Sequence, residues 1–166
     1  YIIPFDVRDA QQGNRVCYIS VKINNKPALL ILDTGATRTV FGEKEMKKYL
    51  TKKDEVKKMP TAMATFGGGE IPTITLATIS SFSIGKLKQK KLSCAFIDIS
   101  NFNIMFNAYE LPVIAGVLGA DILDKYSANI DFRTRKVTLF EPITSLPVPS
   151  KKDLKKVFPS NKPTKK

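Results

Sequence analysis

Most of residues 15 to 140 reads as strand. Val16, Tyr18, Ser20 and Lys22 alternate with Cys17, Ile19, Val21 and Ile23, a period of two. Asn24-Asn25 then turns the chain into Ala28–Leu32. The segment 71–84 is rich in β-branched residues, 92–99 is another strand candidate, and 130–140 looks like a hairpin around Arg133-Thr134-Arg135. Helical signals are few: 43–50, a piece between Asn101 and Tyr109, and 120–126 just after a glycine. Many short strands with two or three short helices predict a mostly-β domain, a closed or partly closed barrel. Gly67-Gly68-Gly69 sits between β-like runs and reads as a hairpin tip.

One run breaks the alternation. Leu29-Leu30-Ile31-Leu32 is continuously aliphatic, which predicts a strand buried on both faces. It leads into Asp33-Thr34-Gly35-Ala36. A carboxylate at the end of a core strand is costly unless it is hydrogen-bonded or at work. The threonine can lock the loop onto neighbouring backbone, and the glycine lets it turn tightly, bringing an N–H toward the carboxylate. The bland alternative is a plain turn after a strand, because all three residue types are common there.

Composition narrows the chemistry. The 166 residues contain no histidine and two cysteines. That excludes Ser-His-Asp and Cys-His nucleophile systems, His-bearing zinc sites, four-cysteine zinc sites and all-thiolate iron–sulfur clusters. Carboxylates, lysines, hydroxyls and bound ions remain. The length suits one domain, with residues 1–14 as an N-terminal segment able to supply a strand, 15–142 as the domain and 143–166 as a basic tail. The formal charge is +12, and half of the excess lies in residues 151–166, a Pro- and Lys-rich stretch expected to be flexible. Phe158 is its only ring, which argues against specific nucleic-acid binding. No apolar run is long enough for a membrane span. The absence of an opening secretory signal tilts the expectation toward the cytoplasm, although a sequence starting at Tyr1 leaves a removed leader open. Cys17 and Cys94 fall in β-like runs and read as buried free thiols.

About eighty residues after the first motif comes Ile114-Ala115-Gly116-Val117-Leu118-Gly119-Ala120-Asp121, an apolar strand running through glycine into a short helix, followed by the 130–140 hairpin. With the DTGA loop, this order resembles the retropepsin-like aspartic proteases, more the short single-domain bacterial members than the viral ones. The likeness covers roughly residues 15 to 140. It implies a single-lobe, closed acid-protease barrel and a mechanism without metal or other cofactor. Two aspartates share a proton and a water; one acts as base and the other as acid. A single Asp-Thr-Gly then means that Asp33 must come from each subunit of a homodimer acting on a polypeptide. By the same likeness Thr34 bonds across the two-fold axis, Gly35 and Ala36 shape the loop, and Gly119 packs behind it. Phe66, Gly67, Gly68, Gly69, Glu70 and Ile71 fall where the family keeps its substrate-covering flap.

The sequence also departs from the family. The retroviral acid two residues after the glycine and the arginine after the second-motif glycine are here Thr37 and Ala120. Arg38 and Asp121 are candidates for a swapped ion pair, while Asp121 also suits a simpler place at a helix start. Ala36 in place of a serine removes a hydroxyl near the carboxylate, so activity is expected at mildly acidic to neutral pH. Two rival readings remain: a non-catalytic dimeric scaffold on the same fold, and a basic protein docking on nucleic acid through its tail.

Overall fold

The computed structural model describes residues 1–10, 13–60, 65–66, 69–70 and 73–142. The basic tail, residues 143–166, lies outside the described residues, as do Gly67, Gly68 and Ile71. The N-terminal segment forms β1 (Ile2–Pro4) and β2 (Asp6–Asp9). β3 (Arg15–Ile23) and β4 (Lys26–Leu32) follow as a hairpin. Its turn residues Asn24 and Asn25 have φ of 48° and 66°, the two positive values that let a two-residue turn match the right-handed twist of its strands.

After β5 (Val40–Gly42), one 3-10 turn (Glu43–Glu45) and the single-turn α1 (Met46–Tyr49) take up the expected helix at 43–50. β6 (Glu55–Pro60) leads to two paired dipeptides, β7 (Thr65–Phe66) and β8 (Gly69–Glu70). The long hairpin β9 (Thr73–Ile84) and β10 (Leu87–Ile97) comes next. α2 (Ser100–Ala108), β11 (Gly116–Leu118) and α3 (Ala120–Lys125) precede the closing hairpin of β12 (Asn129–Asp131) and β13 (Lys136–Thr138).

The pairing order β3-β4-β11-β5-β10-β9 returns to β3, so six strands close a barrel, with β2 and β6 added at its flanks. Closure leaves those six strands without free edges. Inside, Ile19, Leu30, Phe41, Phe96, Ile79, Ile84 and Leu118 are fully buried. The Phe41 ring lies 5.6 Å from that of Phe96, between centroids. β1, β13 and β12 form a small sheet whose Ile3 and Val137 join the same core.

A second core accounts for the unbroken aliphatic run in β4. Phe106 of α2, Leu111 and Ile114 pack on Tyr18, Ile97 and Val117 outside the barrel wall, with Leu29, Ile31 and Ala36 against them. Leu30 and Leu32 therefore point into the barrel, while Leu29 and Ile31 point under α2. One boundary differs from the sequence expectation. β10 starts at Leu87 and not at 92, because Lys88 and Lys90 face solvent while Leu87 is buried. A lysine-rich outer face hid the strand.

Asp54 ties three pieces of this scaffold together. Its Oδ1 accepts from the N–H and hydroxyl of Ser80 at 2.6 and 2.8 Å. Its Oδ2 accepts from Thr51 N–H, Thr51 hydroxyl and Asn24 Nδ2 at 2.6, 2.9 and 2.7 Å. Burial alone would raise the Asp54 carboxyl; the bonds from Ser80 and Thr51 outweigh it and hold its pKa below the ordinary value. The unfolded chain therefore takes up this proton at higher pH than the native one. The stabilisation is full above the unfolded pKa and is lost as pH falls through the depressed native one. Asp54→Asn turns one acceptor into a donor facing donors and should cost about 2–3 kcal/mol at neutral pH. Thermal unfolding of both proteins from neutral to strongly acidic pH checks this: the gap between them should shrink below about pH 4.

Candidate active site

The strand order puts the two sequence motifs side by side. β11 lies between β4, parallel to it, and β5, antiparallel to it. Leu118 pairs with Leu32, and the next N–H of the first motif, Asp33 N, still donates to Leu118 O at 3.1 Å. The chain then leaves the sheet, and Gly35 N–H turns back to Asp33 Oδ1 at 2.8 Å. An added Cβ on Gly35 would sit 3.2 Å from that same oxygen, so glycine lets the amide reach the carboxylate without crowding it. Asp33 is half-buried, and its Oδ2 has no hydrogen-bond partner among the described residues. Thr34 and Gly35 are exposed, and the Thr34 hydroxyl makes no hydrogen bond among the described residues. Ala36 is half-buried and packs toward the α2 cluster.

The second motif supports this loop from behind. Ala120 N–H donates to Ala36 O at 2.7 Å. A Cβ on Gly119 would lie 2.5 Å from Arg38 C, 2.6 Å from Arg38 O and 2.8 Å from Ala36 O, so the two backbones touch there. Gly116 is tighter still, with Val40 O at 2.1 Å from the position of its missing Cβ.

Thr39 locks the two motifs together, and sequence reasoning passed over it. Fully buried, its hydroxyl donates to Asp121 Oδ1 at 2.7 Å and accepts Gly119 N–H at 3.1 Å. Its own N–H reaches Asp121 Oδ1 at 2.9 Å. Asp121 also takes Ile122 N–H at 2.9 Å in the first turn of α3. The expected Arg38–Asp121 ion pair is not formed: Arg38 is exposed, and Asp121 spends its contacts on Thr39 and the helix start. A hydroxyl next to the arginine, just before a core strand, is the signal the sequence carries for it.

Other carboxylates stand apart. Asp131 accepts from the Thr134 hydroxyl at 2.8 Å and from Arg133 and Thr134 N–H, closing the β12–β13 turn. Those bonds, the Thr134 hydroxyl first, hold its carboxyl below the usual range. Among the described residues no group of histidine, cysteine and carboxylate side chains could hold a metal ion. Of the glycine-rich segment, Phe66 pairs with Gly69 and Thr65 with Glu70, between β6 and β9, which are themselves paired. Cys94 is buried and its thiol is pushed up to about 12, first by desolvation and then by the charges of Asp121 and Asp54. Such a thiol is inert as a nucleophile. Cys17 is half-buried rather than buried, and both cysteines are free.

Comparison with known proteins bears on the family and the fold. The aspartyl protease family model matches residues 19–122, from within β3 into α3. No curated protein sequence matches the chain. A crystal structure of a retropepsin-like aspartic protease from Rickettsia conorii superimposes with a TM-score of 0.53 at 19% identity, covering 84% of this chain and 89% of that one. The EIAV protease in complex with the inhibitor HBY-793 gives 0.48 at 21% identity, over 75% of this chain and all of that one. The matched segment contains both motifs and the strands that join them, and the closed barrel is the retropepsin-like fold; the chain belongs to the aspartyl protease family.

Proposed function

We propose that the chain is an endopeptidase that works as a homodimer, each subunit contributing Asp33 to one catalytic pair. The observation that carries this reading is the Asp33 carboxylate itself. One oxygen is fixed by Gly35 N–H, and the other has no partner among the described residues, at the end of a strand of the closed barrel. A lone carboxylate does not make a dyad, so a second copy must complete the site across a two-fold axis. The exposed Thr34 hydroxyl stands beside it as the group to bond across that axis.

In the assembled pair the two carboxylates hold one proton and a water, as is known of aspartic proteases generally, because like charges at that separation do not both ionise. The charged Asp33 takes a proton from the water as it attacks the scissile carbonyl carbon. The protonated Asp33 donates to the carbonyl oxygen. The first Asp33 then gives the water's proton to the amide nitrogen, while the second takes back a hydroxyl proton of the tetrahedral intermediate. The C–N bond breaks to acid and amine, and the pair again holds one proton. Residues 66–71 serve as the flap over an extended substrate, which adds as a strand and places side chains in alternating pockets.

Specific activity on an unfolded polypeptide should rise with protomer concentration and level off as the dimer saturates, with a maximum at mildly acidic to neutral pH. Product mass spectra collected across a dilution series, beside the sedimentation equilibrium of the same samples, check it. A dimer that cleaves nothing would favour the scaffold reading, and activity independent of dilution in a monomer would remove the shared site.

A further inference from the structure

The strand register assembles a cationic face that the linear sequence does not display. Lys88 of β10 pairs with Ser83 of β9, and Ser83 pairs with Lys22 of β3. One strand row along, Lys90 pairs with Ser81. Lys22, Lys88 and Lys90 are all polar positions on the outer wall, while the neighbours that alternate with them, Val21, Ile23 and Leu87, are buried. The three lysines therefore stand on the outer barrel wall with serines between them. Lys22 and Lys88 are separated by two interstrand steps, about 10 Å. Lys86 and Lys91 extend the face along the same hairpin, both exposed. The loop carrying Lys52 and Lys53 is clamped beside it, because Asp54 bonds Ser80 and Asn24. None of these lysines forms an ion pair among the described residues. Asp54, the acid of that loop, has both oxygens turned to Ser80, Thr51 and Asn24.

We infer that this face is a docking surface for the phosphate backbone of a duplex nucleic acid. Lysine beside serine is a residue set that contacts phosphate oxygens without reading bases. No exposed large apolar side chain lies on these strand positions. That disfavours a lipid surface, whose peripheral binders add apolar area to charge. It equally disfavours single strands, which need rings for stacking. The face lies at the far end of β4 from the candidate site: Lys22 pairs with Pro27, and Asp33 is six residues further on, roughly 20 Å away. Docking there leaves the Asp33 loop uncovered, and the inference stands whether or not the chain is a protease.

The test compares full-length wild type with Lys22→Glu/Lys88→Glu/Lys90→Glu and with an equal-charge control, Lys47→Glu/Lys125→Glu/Lys136→Glu. Fluorescence anisotropy with a mixed-sequence duplex of about 20 base pairs is measured between about 50 and 200 mM salt. Wild type should bind with a steep salt dependence. The face variant should lose at least about tenfold in affinity and about three in the slope of log affinity against log salt, while the control loses less than about threefold. Equal losses in both variants, or no duplex binding by wild type at the lowest salt, would overturn the inference. So would anionic phosphatidylserine vesicles held as tightly as the duplex and released by the face variant.

Discussion

Replacing Asp33 by asparagine should abolish peptide-bond cleavage and leave the fold untouched. The structural cost is small because the amide keeps an Oδ1 that can accept Gly35 N–H, and among the described residues no ion pair at Asp33 is lost. Thermal midpoints of the two proteins should agree closely. The chemical cost is large. In the proposed homodimer both carboxylates of the pair lose the group that accepts and donates protons, and positioned acid–base catalysis contributes about 10²–10⁴ for each such role. A fall of on the order of 10⁴ or more in kcat/KM is expected. Mixing sharpens the result: when protomers carrying Asp33→Asn are added in excess to wild type, exchange into mixed dimers should remove activity faster than dilution alone. Cleavage that persists within tenfold of wild type in the pure variant would refute the catalytic assignment of Asp33.

How much of this was legible in the chain depends on distance along it. The β3–β4 hairpin was readable because period-two alternation and Asn24-Asn25 are local signals, and the turn has the two positive φ values those residues tolerate. The aliphatic run 29–32 announced burial on both faces without saying what covers the outer one. The answer is α2, far along the chain, whose Phe106 packs in the cluster with Leu29 and Ile31. Likewise the two motifs were each visible, but the lock between them was not. Thr39 and Asp121 are separated by 82 positions, and the place of a hydroxyl just before a core strand does not say which distant group it meets. Lys86 to Lys91 concealed the first half of β10 because the outer face of a barrel strand can be as polar as a loop. Local chemistry thus wrote the elements, whereas the contacts between distant strands, on which the site rests, follow only from closure of the barrel.

That closure makes Gly119 the position that packs directly behind the Asp33 loop. Gly119→Val should destabilise the protein by about 4 kcal/mol or more, a range reached by few single substitutions. The reason is steric and not conformational: φ at Gly119 is −99°, open to any residue. The first side-chain carbon would meet Arg38 C at 2.5 Å and Ala36 O at 2.8 Å. These are backbone atoms of the very loop that carries Asp33, so no rotamer change relieves the overlap. The loop must move, and with it go the 2.7 Å bond from Ala120 to Ala36 and the 3.1 Å bond to the Thr39 hydroxyl. With total stability of about 5–15 kcal/mol typical of a domain, such a loss removes a large part of it. At about 2–4 °C per kcal/mol, the thermal midpoint should fall by roughly 8–16 °C. Gly35→Ala supplies the contrast. Among the described residues its added carbon meets just the end of the Asp33 side chain, at 3.2 Å, so the midpoint should move by no more than about 2–4 °C while cleavage drops as the carboxylate is turned. If Gly119→Val melted with the wild type, the close packing of the two motifs could not be what holds Asp33 in place.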